Sequence, residues 1–206
     1  MSDLAVQRIP RGKGWHNTGS AITSANYGGA EYEGTVRTFG DFDVPSGTAP
    51  KSRRTGGDVV CKLVRNVSGF ALTPKRLVSW ASGYRNKRVA GYARTTACEV
   101  AGVVDEFWPA SGVPDGELFW LAVKGHHKIL TSLAGNGENV ISAGDWLVAL
   151  TAATTAATTS GRASAIDLTG ATSLLGTQIL NRIGRAASAM TTAQTNTDVL
   201  VELDLY

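Results

Sequence analysis

Leu118-Phe119-Trp120-Leu121-Ala122-Val123-Lys124-Gly125 is the stretch on which the reading of the fold turns. Six apolar side chains follow one another, a continuous run of strand length. Gly125 is expected to end that strand, and His127 to Leu130 to pair back onto it. Downstream, Gly135-Asn136-Gly137 reads as a turn. Ile141-Ser142-Ala143-Gly144-Asp145 leads into Trp146-Leu147-Val148-Ala149-Leu150, a second buried strand. Residues 151–160, TAATTAATTS, are of low complexity and read as a surface loop or ragged edge strand. Ser173 to Ala189 fits a short helix or two short strands, because its apolar spacing serves either. Val199 to Leu205 alternates apolar and acidic residues towards its end, as a closing strand would.

Upstream, Val59-Val60-Cys61-Lys62-Leu63-Val64 is rich in β-branched residues and is followed by Asn66 and Gly69. Leu77 to Trp80, Arg88 to Tyr92 and Glu99 to Val104 are further strand candidates. Pro109, Ser111, Gly112, Pro114, Asp115 and Gly116 mark a loop. Residues 1–57 read as an extended, glycine-rich arm or loose strands. Gly12, Gly14, Gly19, Gly28, Gly29, Gly34 and Gly40 interrupt any helix there. Trp15, Tyr27, Tyr32, Phe39 and Phe42 are rings that need a surface to cover them. The expected organisation is therefore an arm over 1–57 and a β-rich domain over 58–206, most readable over 117–206.

Composition agrees. The chain has 206 residues, 24 of them glycine, with 43% apolar and 18% charged side chains. Short strands with glycine-rich turns predict a mainly β protein, a small β-barrel or β-sandwich. No apolar run is long enough for a transmembrane helix. Met1 to Arg11 lacks the apolar centre of a signal peptide, so synthesis and use without secretion by that route are expected. Cys61 and Cys98 form no CxxC pair. Two isolated buried thiols are the expected state, with a disulfide between them left open.

Charge divides the chain more sharply than hydropathy. Net charges over 1–50, 51–94 and 95–206 are −1, +10 and −6, which give the overall +3. The middle segment holds eleven basic residues and only one acid, Asp58, with Trp80, Tyr84 and Tyr92 interleaved. Such a segment can contact an acidic protein surface, bind nucleic acid, or simply be a solvated face. An acidic protein surface is favoured, since no nucleic-acid module accompanies the charge. Arg53, Arg54, Arg85, Lys87 and Arg88 are the candidate contact residues, chosen for their clustering in the sequence.

Catalytic and metal chemistry finds no assembled pattern. His16, His126 and His127 have no metal-ligand spacing, and adjacent His126 and His127 point to opposite faces of a strand. There is no GxSxG elbow and no GxxxxGK[ST] loop; Gly12-Lys13-Gly14 and Gly135-Asn136-Gly137 read as turns. Asp41 with Asp43, and Asp105 with Glu106, are carboxylate couples that read as solvated loops. The expectation is no enzyme activity, no catalytic residue, no cofactor and no metal.

The order Leu118 to Gly125, then Ile141 to Val148 through Ala143-Gly144-Asp145, then Ile183-Gly184-Arg185-Ala186 and a terminal strand over Val199 to Leu205, resembles the head decoration, or cement, proteins of tailed bacteriophages. Those proteins often carry a strand ending in Lys-Gly and an Ala-Gly-Asp turn entering an apolar strand. The resemblance covers residues 117–206. It implies a β-barrel-like domain that forms homotrimers on the outer capsid surface and stabilises the shell. The implied partner is the major capsid protein and the implied location is the virion, after synthesis in the host cytoplasm. Another virion component, of tail or shell, and a basic nucleic-acid-binding protein are the alternatives.

Overall fold

The computed structural model describes residues 33–42, 53–93, 99–106, 108–131, 141–149, 161–166, 181–190 and 197–205. These residues are mainly β and contain no helix. The strands are β1 (Val36–Phe42), β2 (Arg53–Asn66), β3 (Leu77–Trp80), β4 (Arg88–Tyr92), β5 (Val100–Val104), β6 (Leu118–Thr131), β7 (Trp146–Ala149), β8 (Ala163–Ala165), β9 (Arg182–Ala186) and β10 (Thr197–Asp204).

All ten strands form one sheet, in the order β1-β2-β4-β3-β5-β6-β10-β9-β7-β8, with further pairings β2–β6 and β6–β8. Those two extra pairings close two circuits of hydrogen-bonded strands. One runs β2-β4-β3-β5-β6 and the other β6-β10-β9-β7-β8, so β6 belongs to both.

Strand β6 is the spine of the molecule, and here the structure corrects the sequence reading. The strand does not stop at Gly125. It continues for 14 residues to Thr131, so His127 to Leu130 extend it rather than pair back onto it. The Lys124-Gly125 step is an irregularity within the strand. Val60 faces Lys124 and the next residue, Cys61, faces Ala122, which leaves Val123 as an extra residue on β6. Gly125 follows with φ +94, and a Cβ there would lie 2.3 Å from the Asp58 carbonyl oxygen. Glycine is therefore what lets β2 pass so closely.

The bulge changes which side chains point inward. Before it, Leu118, Trp120 and Ala122 join the larger core; after it, Ile129 does. The intervening Phe119 and Leu121 enter a second core on the opposite face. That second core takes Val64, Val78, Val89, Ala101 and Val104 from the other four strands of the first circuit, with Leu72 and Val113 from a bridge beside it. The larger core draws on every strand of the second circuit and on the reverse face of the first. An uninterrupted apolar run is needed on β6 because both of its faces are buried.

Several expectations meet the structure at once. The segments expected as strands at 77–80 and 88–92 are β3 and β4, and those at 59–64, 99–104, 146–150 and 199–205 overlap β2, β5, β7 and β10. Ala143 and Gly144 form the turn before β7, with the Ser142 amide donating to Asp145 Oδ2 at 2.7 Å. Within Ser173 to Ala189, Arg182–Ala186 is a strand. Inside the segment assigned to an arm, Val36–Phe42 is a strand paired to β2, and the Phe39 ring packs edge-on to Trp120 with centroids 5.3 Å apart. Residues 1–32, the 151–160 segment, the 135–137 turn and Cys98 lie outside the described residues. Cys61 is buried in the larger core.

Candidate functional site

Among the described residues, the turn between β3 and β4 presents the most concentrated group of basic and aromatic side chains. It is a tight, internally bonded structure. The Tyr84 amide donates to Ala81 O at 2.9 Å, and the Lys87 and Arg88 amides both donate to Tyr84 O at 3.0 Å. Gly83 and Asn86 take positive φ, the conformation that glycine and asparagine tolerate best. Tyr84, Arg85, Asn86 and Lys87 are consequently exposed together at the tip.

Beneath the tip lies an ionic mount. Strands β2 and β4 are parallel neighbours with Arg65 beside Arg88, a juxtaposition of like charges. The buried Glu33 resolves it. Its Oε1 accepts from Arg65 Nε at 2.5 Å and its Oε2 from Arg88 Nε at 2.8 Å. The hydrogen bond that Arg88 donates to Glu33 pushes the Arg88 pKa still higher than usual. The Arg88 guanidinium also stacks on the Tyr84 ring at 4.3 Å.

A third basic side chain enters from β2. Lys62 Nζ donates to Asn86 Oδ1 at 2.8 Å and lies 5.7 Å from the Trp80 ring centre. Burial, and then repulsion from Arg85, push its ammonium pKa down, with Glu99 opposing. Arg85 pairs with Glu99, both well exposed. Val36, opposite Lys62 in register, adds an apolar side chain that is 42% exposed.

Arg85, Lys87 and Arg88 are thus brought together, but two corrections apply to the expected set. Arg53 and Arg54 sit at the far end of the 14-residue β2 from Arg65, and so from this turn. Arg88 is mainly a structural residue, held by Glu33 and Tyr84. Lys62 and Glu33 were not picked out from the sequence as contact residues, and Trp80 only as a ring interleaved with the basic side chains. Lys62 sits in a strand pattern that gave no hint of its neighbours, and Glu33 lies far from its partners in the chain.

The histidines and carboxylates are placed differently from one another. His127 is buried and His126 only partly so, as opposite strand faces require. The Glu106 amide donates to His127 Nε2 at 3.3 Å, and that nitrogen lies 3.3 Å from Asp105 Oδ1. Asp105 is buried as well, and so is Asp41, against the expectation of solvated loops. Among the described residues no group of three or more His, Cys, Asp or Glu could hold a metal ion. No helix among them is long and apolar enough to cross a membrane.

In comparisons with known proteins, no family model and no curated protein matches this chain.

Proposed function

We propose that this chain is a non-enzymatic structural protein of a tailed-phage virion, one that binds the outer capsid surface as a decoration protein and stabilises the head shell. The observation that carries this reading is the internally hydrogen-bonded β3–β4 turn, which exposes Lys87 and Arg85, the latter paired with Glu99, above an ionic mount made by Glu33, Arg65 and Arg88. A preformed cationic projection suits recognition of an acidic protein surface, where complementary charge sets orientation and speeds encounter. The likeness of residues 117–206 to cement proteins supplies the virion context. The major capsid protein is the proposed partner. A homotrimer is the proposed assembly, since a symmetric lattice multiplies a modest contact per copy. The two strand circuits are read as two small barrels that share β6.

Nucleic acid is a weaker candidate for the same face. Lys62 and Arg88 already lie against Trp80 and Tyr84, which leaves less ring surface for stacking bases. The direct test is charge reversal at the tip, Arg85→Glu with Lys87→Glu, sparing Arg88 because it holds Glu33. Attachment of the purified variant to undecorated heads should fall at least about tenfold, the loss of one or two charge-assisted contacts. Unchanged attachment would overturn the assignment of this face.

A further inference from the structure

A second cationic feature lies on the other circuit, and β9 is built irregularly to make it. Trp146 of β7 faces Arg185, Leu147 faces Gly184, and Val148 faces Arg182, so Ile183 is an extra residue on β9. The bulge breaks the alternation of the strand. Arg182 and Arg185, three apart, are both exposed, while Ile183 and Gly184 are buried. Both guanidinium carbons then approach one ring, at 4.8 and 4.2 Å from the centre of Trp146. Gly184 permits the close strand contact this needs. Its φ is +152, and a Cβ there would lie 2.0 Å from the Glu202 carbonyl oxygen.

Stacking occupies the face of a guanidinium and leaves its rim of N–H donors directed outward. Among the described residues neither the Arg182 nor the Arg185 side chain has a hydrogen bond or ion pair. Glu202 is the cross-strand partner of Arg185 on β10, yet no ion pair joins them. Two exposed guanidinium groups are thus held over one ring.

We infer that Trp146, Arg182 and Arg185 form a docking site for an acidic peptide segment of a partner protein, with one carboxylate on each guanidinium rim. The spacing fits. Both guanidinium carbons lie within 4.8 Å of the ring centre, so they are at most ~9 Å apart. An extended peptide places residues i and i+2 on one face about 7 Å apart. The surroundings favour discrete carboxylates over a phosphate polymer. Exposed Glu202, Asp204 and Asp198 alternate with exposed Lys124 and Lys128 on the adjoining strands β10 and β6, so there is no broad positive field for a nucleic-acid backbone. The Trp146 ring, stacked by arginine, is a poor platform for bases. This site does not depend on the proposed role in the virion.

The test is an NMR titration of the full chain with a hexaglutamate peptide, following the arginine Nε–H resonances. Arg182 and Arg185 should shift saturably, and the affinity should fall with added salt. Arg182→Gln with Arg185→Gln should weaken binding at least about tenfold, and Arg85→Glu with Lys87→Glu should leave the Arg182 and Arg185 shifts in place. The inference is overturned if these two resonances do not move, if the Arg182→Gln, Arg185→Gln protein binds the peptide equally well, or if hexathymidylate moves them at lower concentration than the peptide.

Discussion

Glu33 and Arg88, 55 residues apart in the chain, meet through a 2.8 Å hydrogen bond from Arg88 Nε to Glu33 Oε2. The other carboxylate oxygen holds Arg65, so a single buried side chain bridges two arginines that parallel strands force side by side. Removing it leaves those charges facing each other without the carboxylate between them, although Arg65 Nη1 still donates to Gly116 O at 2.8 Å. Glu33→Ala is expected to cost about 2–4 kcal/mol of stability, the range for a partly buried ion cluster that loses its centre. Glu33→Gln should cost less, because the amide oxygen still accepts. Urea denaturation of the three proteins measures this directly; an unchanged midpoint for Glu33→Ala would refute the mount.

Gly184 and Gly144 separate the effect of crowding from that of conformation. Both have positive φ, but a Cβ at Gly184 meets the Glu202 carbonyl oxygen at 2.0 Å whereas one at Gly144 meets nothing within 4 Å. Gly144→Ala should lose about 1 kcal/mol, the conformational cost alone. Gly184→Ala should lose about 3 kcal/mol or more, since β9 must move off β10. Thermal unfolding of the pair checks the difference, and equal losses would contradict the close strand contact.

Glu117 supplies a pH dependence. It is buried just before β6, and desolvation raises its carboxyl pKa. The folded protein therefore holds this proton more tightly than the unfolded chain does. The contribution to stability is present in full below the ordinary glutamate pKa of about 4.3 and is lost as pH rises through the higher folded value. Glu117→Gln should be more stable than the parent at neutral pH and no more stable at low pH. Chemical denaturation at the two pH values decides it; an advantage that grows on acidification would reverse the sign and refute the assignment.

Much of the sheet was legible because its determinants are local. Apolar and β-branched runs mark β5, β7 and β10 in the sequence, and β3 and β4 more weakly. The spine was misread at Gly125 because glycine signals a strand end and a bulge equally well; only the approach of Asp58 shows which applies. The proposed contact face was half legible. Arg85, Lys87 and Arg88 are neighbours in the chain and remain so in space. Lys62 and Glu33 reach them only through the pairings of β2 with β4 and of the Glu33 segment with Arg65, which no local pattern encodes. The stacked pair at Trp146 was hidden for a different reason. Strict alternation puts residues three apart on opposite faces, and the bulge at Ile183 reverses that.

The central claim, a decoration protein on the outside of a phage head, is tested most directly by averaged images of virions assembled in cells that make this chain. The account predicts density for it on the outer surface of the shell, at three-fold positions, with the 84–88 turn against the major capsid protein. Absence of the chain from the head exterior, with the shell surface bare, would contradict it.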